Sequence, residues 1–208
     1  MSAVPPFSEA GVFFVTDGWY QKSPGVYVGM IPNDSSIATA QQNAVVLQTI
    51  INLAQNAPAG ACPGSPPFWG ATIVFPGHFE VPPPVGPNVT PPMQDGAQYF
   101  IALPASPQHA GAVIDIGCNW PLRLVGTGNV QLAMVSNSAT SAVFGDMFFD
   151  HSNTGSDMDI GGITFEDLQL SFANGATTFA AVHVAAATGA GTHDGGQNVR
   201  LNRVVFDL

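Results

Sequence analysis

Apolar and polar residues alternate most clearly between Gly162 and Phe172. Ile163 and Phe165 fall on one side of a predicted strand, and after Asp167 apolar residues again occupy every second position as far as Phe172. Because the side chains of a strand point alternately to its two faces, this pattern predicts two short strands joined by a sharp corner.

Similar strand patterns recur along the second half of the chain. Their register positions are Leu122, Val143, Ile163, Val182 and Val199, which are 21, 20, 19 and 17 residues apart. So steady a step predicts one structural unit stacked on itself, as in a solenoid. A β-sandwich also spaces short strands evenly. The solenoid is favoured because residues 162–172 contain no hairpin turn, and because the segments between units are irregular and rich in Gly, Ser, Ala and Thr.

From Asp34 to Gln55 the apolar residues recur at intervals of three and four instead of two. They are Ile37, Ala44, Leu47, Ile51 and Ala54. Asp34 or Ser35 can cap the start of a helix, and Pro58 and Gly60 end it. The pattern predicts one amphipathic helix that covers the open apolar end of the first stacked unit.

Residues 1–33 are apolar and aromatic, with frequent Pro and Gly. Phe13, Trp19 and Tyr27 stand among turn residues. This predicts an arm with one or two short strands, whose aromatic side chains need a partner surface on the side of the solenoid or on another subunit. The chain therefore divides into an arm, residues 1–33, and a larger part, residues 34–208.

Three motifs follow one another along the larger part of the chain. They are the helix segment Ala44–Ile51, the strand segment Gly70–Val81 with its turn Phe75-Pro76-Gly77, and the turn within Leu122–Gly128. Together they resemble the N-terminal part of the pectate-lyase superfamily over residues 34–208. The resemblance implies an all-β fold, a right-handed parallel β-helix with an N-terminal capping α-helix, and it is specific for the fold and not for one activity.

Two features depart from that family pattern. The Gly-Asp-Gly type segment that usually precedes the helix appears here as Pro32-Asn33-Asp34-Ser35, and family members normally continue for many more coils. We therefore expect the β-helix to be incomplete at its C-terminus. A last strand that ends on Val204-Val205-Phe206 would leave apolar residues uncovered, so we expect self-association, for example as a trimer, or a further C-terminal part.

Charge narrows the range of partners. The chain has 14 acidic and only 4 basic side chains, for a formal net charge of -10, so nucleic acid and anionic membrane surfaces are not expected partners. No apolar run approaches the length of a membrane span, and no signal peptide is visible. The five histidines form no metal-ligand pattern, so neither a metal nor a cofactor is expected. Cys62 and Cys118 are either separate thiols or one disulfide.

Carboxylates are the candidate catalytic groups, because the resemblance implies cleavage of acidic or capsular polysaccharides by carboxylates on the outer face of the coils. Asp146 and Glu166 are 20 residues apart, one predicted repeat, so we expect them side by side on adjacent coils, about 4.8 Å apart. A separation of about 5 Å suits a retaining glycosidase. Asp150 is a third candidate, and Asp150, Glu166 and Asp167 are candidate carbohydrate contacts. The alternative is that all four are ordinary solvated carboxylates.

Two functions of different classes are consistent with this sequence. The first is a polysaccharide-directed β-helix protein similar to tailspikes and pectate lyases, which binds or depolymerises a glycan; if it is an enzyme, it is a polysaccharide lyase or a glycoside hydrolase. The second is a non-catalytic structural or adhesive module of a virion, a fibre or a surface assembly. Either function predicts a location on a virion, outside the cell or at the cell surface.

Overall fold

The computed structural model describes residues 11–55, 70–79, 94–108, 111–116, 121–135, 146–150, 162–172, 181–184 and 198–207. Within these ranges the fold is rich in β-strands and contains one α-helix. In chain order the elements are β1 (Val12–Phe14), β2 (Tyr20–Ser23), β3 (Val26–Val28), α1 (Ile37–Gln55), β4 (Ala71–Pro76), β5 (His78–Phe79), β6 (Gln94–Asp95), β7 (Ala97–Ile101), β8 (Ala112–Ile116), β9 (Leu122–Thr127), β10 (Val130–Met134), β11 (Asp146–Asp150), β12 (Gly162–Glu166), β13 (Gln169–Phe172), β14 (Val182–Val184), β15 (Asn198–Asn202) and β16 (Val205–Asp207).

Most strands belong to three parallel sheets. The five-stranded sheet has the order β1-β4-β9-β12-β15, the four-stranded sheet β7-β10-β13-β16, and the three-stranded sheet β8-β11-β14. From β7 onward, consecutive strands enter the three sheets in the same rotation, and we call each passage through the sheets a rung. Two short antiparallel pairs, β2-β3 and β5-β6, branch from this arrangement.

The predicted pair of strands between residues 162 and 172 is confirmed as β12 and β13. The corner between them lies at Asp167, whose φ of 53° is left-handed. The corner packs tightly against the preceding rung, because a Cβ added to Gly126 would lie 2.2 Å from the backbone oxygen of Asp167. Glycine at position 126 therefore permits the close approach of two rungs at this corner.

The predicted stacking step of about 20 residues is wrong. Ile163 is the register partner of both Leu122 and Val199, which are 41 and 36 residues away from it. Val182 instead pairs with Phe148 in the three-stranded sheet, and Val143 lies outside the described residues. Alternating apolar residues look the same in the strands of all three sheets. The predicted series of register positions therefore mixed strands that belong to different sheets.

The core lies between the three sheets, where inward side chains stack from rung to rung. In the five-stranded sheet Ile73, Leu124 and Phe165 are register neighbours and fully buried. The rings of Phe148 and Phe165, from two different sheets, pack edge to face with centroids 5.0 Å apart. These contacts hold the sheets together through apolar burial and aromatic packing.

The predicted helix is confirmed, although it begins at Ile37 and not near Asp34. Ser36 accepts the first helical hydrogen bond, from the Ala40 amide at 2.9 Å, and Asp34 accepts hydrogen bonds from the Ser36 amide and the Thr39 hydroxyl at 2.9 and 2.7 Å. Asp34 therefore stabilises the helix start from two positions before the capping residue.

Helix α1 lies across the outer edges of β7 and β8, where amide side chains replace a neighbouring strand. Asn43 Nδ2 donates to the Phe100 carbonyl at 3.0 Å. Gln48 donates to the Asp115 carbonyl at 2.8 Å and accepts from the Asp115 amide at 2.7 Å. Because edge strands otherwise present unpaired backbone groups, these amides satisfy and protect the edge.

The described part of the N-terminal arm packs onto the same core. Strand β1 pairs with β4 in the five-stranded sheet, and the arm contains three short strands where one or two were predicted. Phe13 and Trp19 are buried with ring centroids 5.0 Å apart, and the Trp19 indole donates to the Phe14 carbonyl at 2.6 Å. These two aromatic side chains thus find their partner surface within the chain.

Candidate functional site

Three glutamines form a row on the outer face of the four-stranded sheet. Gln131 in β10 is the register partner of Gln98 in β7 and of Gln169 in β13. Each lies between two buried apolar residues along its strand, which turns the amide outward. We call Gln98, Gln131 and Gln169 the amide ladder.

Hydrogen bonds orient the amides of the ladder. Gln98 Nε2 donates to Gln131 Oε1 at 2.5 Å, and Gln131 Nε2 donates to the Ser171 hydroxyl at 2.8 Å. Gln169 Nε2 donates to Asp207 Oδ2 at 3.3 Å. Because these bonds already restrict flexible side chains, a ligand that binds here loses less conformational entropy in ordering them.

The ladder forms the floor of an open groove of about 510 Å³, which Asn33, Gly96, Ala97 and Asn129 complete. Asn33 donates its amide to the Gln98 carbonyl at 2.7 Å and accepts from the Gln98 amide at 2.9 Å, so it closes the edge of β7. Its φ of 59° is left-handed, which asparagine tolerates better than most residues.

The groove is polar and electrically neutral. Among the described residues, none of those that line it has an ionisable side chain. Asn129, which also lines the groove, has a further side-chain amide. Amide groups both donate and accept, and an array of them suits a ligand with many hydroxyl groups.

Glu166, predicted as a catalytic carboxylate, lies instead in an ion-pair cluster on the five-stranded sheet. It is 9% exposed. Its Oε2 accepts from Arg123 Nε at 2.7 Å and from Arg123 Nη2, while its Oε1 accepts from Asn202 at 3.0 Å and from Arg203 at 2.9 Å. These four bonds occupy the lone pairs of the carboxylate and connect β9, β12 and the end of β15.

Asp167 belongs to the same cluster. It lies directly below Arg203, which occupies the equivalent corner of the next rung with a φ of 52°. The Asp167 amide donates to the Asn202 carbonyl at 3.1 Å, and Arg203 Nη2 donates to Asp167 Oδ2 at 2.6 Å. The hydrogen bond from Arg203 lowers the pKa of Asp167 below its ordinary value, so this carboxylate stays ionised.

The predicted side-by-side pairing of Asp146 and Glu166 is wrong. Asp146 begins β11 in the three-stranded sheet, where its register partner is Ala112. Glu166 lies in the five-stranded sheet between Val125 and Asn202. Asp150 ends β11 and is likewise in a different sheet from Glu166. Catalysis by this pair required the two carboxylates to be neighbours on adjacent rungs. They are not neighbours, because residues that are 20 positions apart do not stack on each other in this fold.

The amide ladder was not predicted, although the sequence contains a signal for it. Glutamine stands between two apolar residues in Ala97-Gln98-Tyr99, in Val130-Gln131-Leu132 and in Leu168-Gln169-Leu170. The spacings between these glutamines, 33 and 38 residues, differ from the predicted repeat. A search for the triplet pattern instead of a fixed step would have found the row.

In the part of the chain that the structure describes, no three His, Cys, Asp or Glu side chains are close enough to hold a metal ion. The same residues include no helix that is long and apolar enough to cross a membrane. Cys62 and Cys118 both lie outside the described residues, so their pairing stays a prediction.

Comparison of the chain with protein-family models, with curated proteins and with solved structures finds no match in any of the three.

Proposed function

We propose that this chain is a polysaccharide-directed protein built as a right-handed parallel β-helix, and that it binds a glycan in the groove above the amide ladder. The fold proposal is supported by the rotation of consecutive strands through three parallel sheets and by the continuous columns of buried side chains. The resemblance of residues 34–208 to the pectate-lyase superfamily agrees with that arrangement, although fold alone does not give function.

The observation that supports glycan binding is the neutral row of amides on an open groove. Hydroxyl groups of a sugar both donate and accept hydrogen bonds, and so do Gln98, Gln131 and Asn129. A volume of about 510 Å³ lies in the usual range for small-ligand sites. The groove is shallow and open, as a segment of a long polymer requires.

We assign binding and not depolymerisation to this groove. No carboxylate is among the described residues that line it, whereas glycosidases need two. Glu166 is held by two arginines and an asparagine in a different sheet, and a carboxylate with all four hydrogen-bond positions occupied is a poor nucleophile or proton donor.

The test is glycan binding by the wild-type chain and by Gln131→Ala. Gln131 lies at the centre of the ladder, where its amide accepts from Gln98 and donates to Ser171. Its loss removes groups that can bond to a sugar hydroxyl, and each such hydrogen bond contributes about 1 kcal/mol. We expect the variant to bind at least about tenfold more weakly in titration calorimetry. The matched control is Gln21→Ala, which removes an exposed amide from the β2-β3 hairpin and should leave affinity unchanged. If the wild-type chain binds no glycan, or if both variants bind as the wild type does, the proposal is wrong.

A second candidate, a non-catalytic structural or adhesive module that associates with copies of itself, is supported by the apolar surface at β15 and β16. Leu201 continues the buried column of Phe165, and Phe206 continues that of Leu170, yet they are 49% and 42% exposed. Apolar surface of this kind favours a partner. Light scattering tests this candidate. Self-association is supported if the wild type is an oligomer, such as a trimer, and if a double variant with Leu201→Gln and Phe206→Gln is a monomer. A monomeric wild type contradicts it. Both candidates suit a virion or an extracellular location, which stays a prediction.

A further inference from the structure

We infer that the groove selects a neutral polysaccharide over an acidic one, and that the glycan runs along the amide ladder with successive sugar rings on successive rungs. This inference rests on the proposed glycan function and adds the class of glycan and its orientation. It differs from what the family resemblance implies, which is cleavage of acidic or capsular polysaccharides.

The basic side chains lie away from the groove. All four of them, Lys22, Arg123, Arg200 and Arg203, lie in the described part of the chain, and none lines the groove. An acidic polysaccharide bound there would meet no positive side chain to replace the water around its carboxylates. Burying such charges without a partner is unfavourable.

The same four residues have other positions or partners. Arg123 and Arg203 are paired with Glu166, and Arg203 is also paired with Asp167. Lys22 donates to Gln42 at 2.7 Å beside the helix, and Arg200 lies on the five-stranded sheet. The remaining electrostatics are repulsive, since the chain carries a formal net charge of -10 and the groove ends near Asp207, which accepts from Gln169. A neutral glycan avoids this repulsion.

The spacing of the amides matches the repeat of a sugar chain. Adjacent strands of a sheet are about 4.8 Å apart, so register partners present their amides at that interval. This interval is close to the length of one pyranose ring in an extended glycan. A chain laid across the strands can therefore place one sugar ring near each of Gln98, Gln131 and Gln169.

The ends of the ladder set the length of this row. On one side Asn33 occupies the edge of β7 through two backbone hydrogen bonds. On the other side the register partner of Gln169 is Val205, a 58% exposed apolar residue in place of a fourth amide. Three sugar rings thus fill the polar row, and a further ring would meet valine, which offers no hydrogen bond.

The experiment compares neutral polysaccharides (dextran, mannan, xylan and mixed-linkage β-glucan) with acidic ones (polygalacturonate and alginate) by titration calorimetry at low and at high salt. We expect the wild-type chain to bind at least one neutral polysaccharide with an affinity that salt does not change. A series of neutral oligosaccharides of increasing length should gain affinity up to three sugar residues and little beyond them.

Two variants localise the binding and test the charge argument. Gln98→Lys places a cation in the groove, and it should gain salt-sensitive binding of acidic polysaccharide that the wild type lacks. Gln131→Ala should lose at least about tenfold in affinity for the neutral glycan. If Gln131→Ala does not fold, as judged by its circular dichroism spectrum, Gln98→Ala provides the same test at an exposed position with a single ladder bond.

The outcomes separate this inference from the proposed function. Tighter binding of acidic than of neutral polysaccharide by the wild type overturns the selectivity and leaves glycan binding in place. An affinity that is independent of oligosaccharide length, or Gln98→Lys behaving as the wild type toward acidic polysaccharide, overturns the placement of the glycan on the ladder. Absence of binding to every glycan, neutral or acidic, overturns the proposed function itself.

Discussion

Replacement of Glu166 by alanine tests whether the ion-pair cluster stabilises the stack of rungs. The side chain is 11% exposed and accepts four hydrogen bonds from three residues on the neighbouring rungs. Its loss removes the only carboxylate that connects β9 to β15 among the described residues. We expect Glu166→Ala to unfold more easily, and we expect no compensating contact, because alanine cannot reach any of these donors.

The size of the stability loss depends on how well water replaces the Glu166 carboxylate as the acceptor of these hydrogen bonds. Buried hydrogen bonds to a charged group contribute about 1.5–3 kcal/mol, whereas exposed ion pairs contribute about 0.2–1 kcal/mol. The side chains of Arg123 and Arg203 are 50% and 62% exposed, so both guanidinium groups regain water in the variant. We therefore expect the free energy of unfolding to fall by about 2 kcal/mol, which corresponds to about 4–8 °C in Tm for a chain of this size.

Urea denaturation and thermal unfolding measure the effect. Thr164→Ala is the matched control, since Thr164 lies two residues earlier on β12, and its loss should cost about 0.5 kcal/mol. A double-mutant cycle with Arg123→Met, which keeps the aliphatic stem, should give a coupling of about 0.5–1 kcal/mol. A Glu166→Ala effect no larger than that of the control refutes the stabilising role. Loss of polysaccharide cleavage with an unchanged Tm would instead support the predicted catalytic role of Glu166.

Two further predictions concern helix α1 and the corner at Asp167. Asn43→Ala removes a fully buried amide that bonds to the Phe100 carbonyl and to both backbone groups of Ile31. The free energy of unfolding, measured by urea denaturation, should therefore fall by about 2–3 kcal/mol. A loss below about 0.5 kcal/mol would contradict the role of Asn43 at the β7 edge. Asp167→Asn keeps a residue that tolerates the left-handed corner but removes its charge. Because Arg203 lowers the pKa of folded Asp167, the ionised carboxylate stabilises the wild type above the unfolded pKa of about 3.9, and this advantage is lost as the pH falls through the lower folded pKa. The difference in Tm between the two proteins should therefore be present at neutral pH and vanish in strong acid; a difference that does not change with pH would contradict the argument.

Features that depend on residues close together in the sequence were predictable from it. The helix follows from apolar spacing within Ile37–Gln55, and the two strands of residues 162–172 follow from alternation on each side of Asp167. Both patterns are set by backbone geometry within one element, so they do not require knowledge of the partner. The predicted capping residue, Asp34 or Ser35, was one or two positions too early, because Asp34, Ser35 and Ser36 are all suitable capping residues.

The stacking register was not predictable in the same way. The corners between β9 and β10 and between β12 and β13 each contain two residues, but β9 continues through Gly126 and Thr127, beyond Val125, the register partner of Glu166. Strands and connections of different length make the distance between stacked residues vary from 51 residues between Ile73 and Leu124 to 36 between Phe165 and Leu201. A fixed repeat therefore assigned Asp146 and Glu166 to neighbouring positions when they belong to different sheets.

The distribution of charge links the fold to the proposed function. In the five-stranded sheet the outward side chains at one end are charged, and their opposite charges bind rung to rung through Arg123, Glu166 and Arg203. In the four-stranded sheet the same outward register holds neutral amides, and none of the described residues that line the groove has an ionisable side chain. Two of the four basic residues thus connect neighbouring rungs, and the groove proposed to bind a glycan is lined by neutral amides. None of the four basic residues lines the groove, so an anionic polymer bound there would meet no cation, and this absence supports the proposed preference for a neutral glycan.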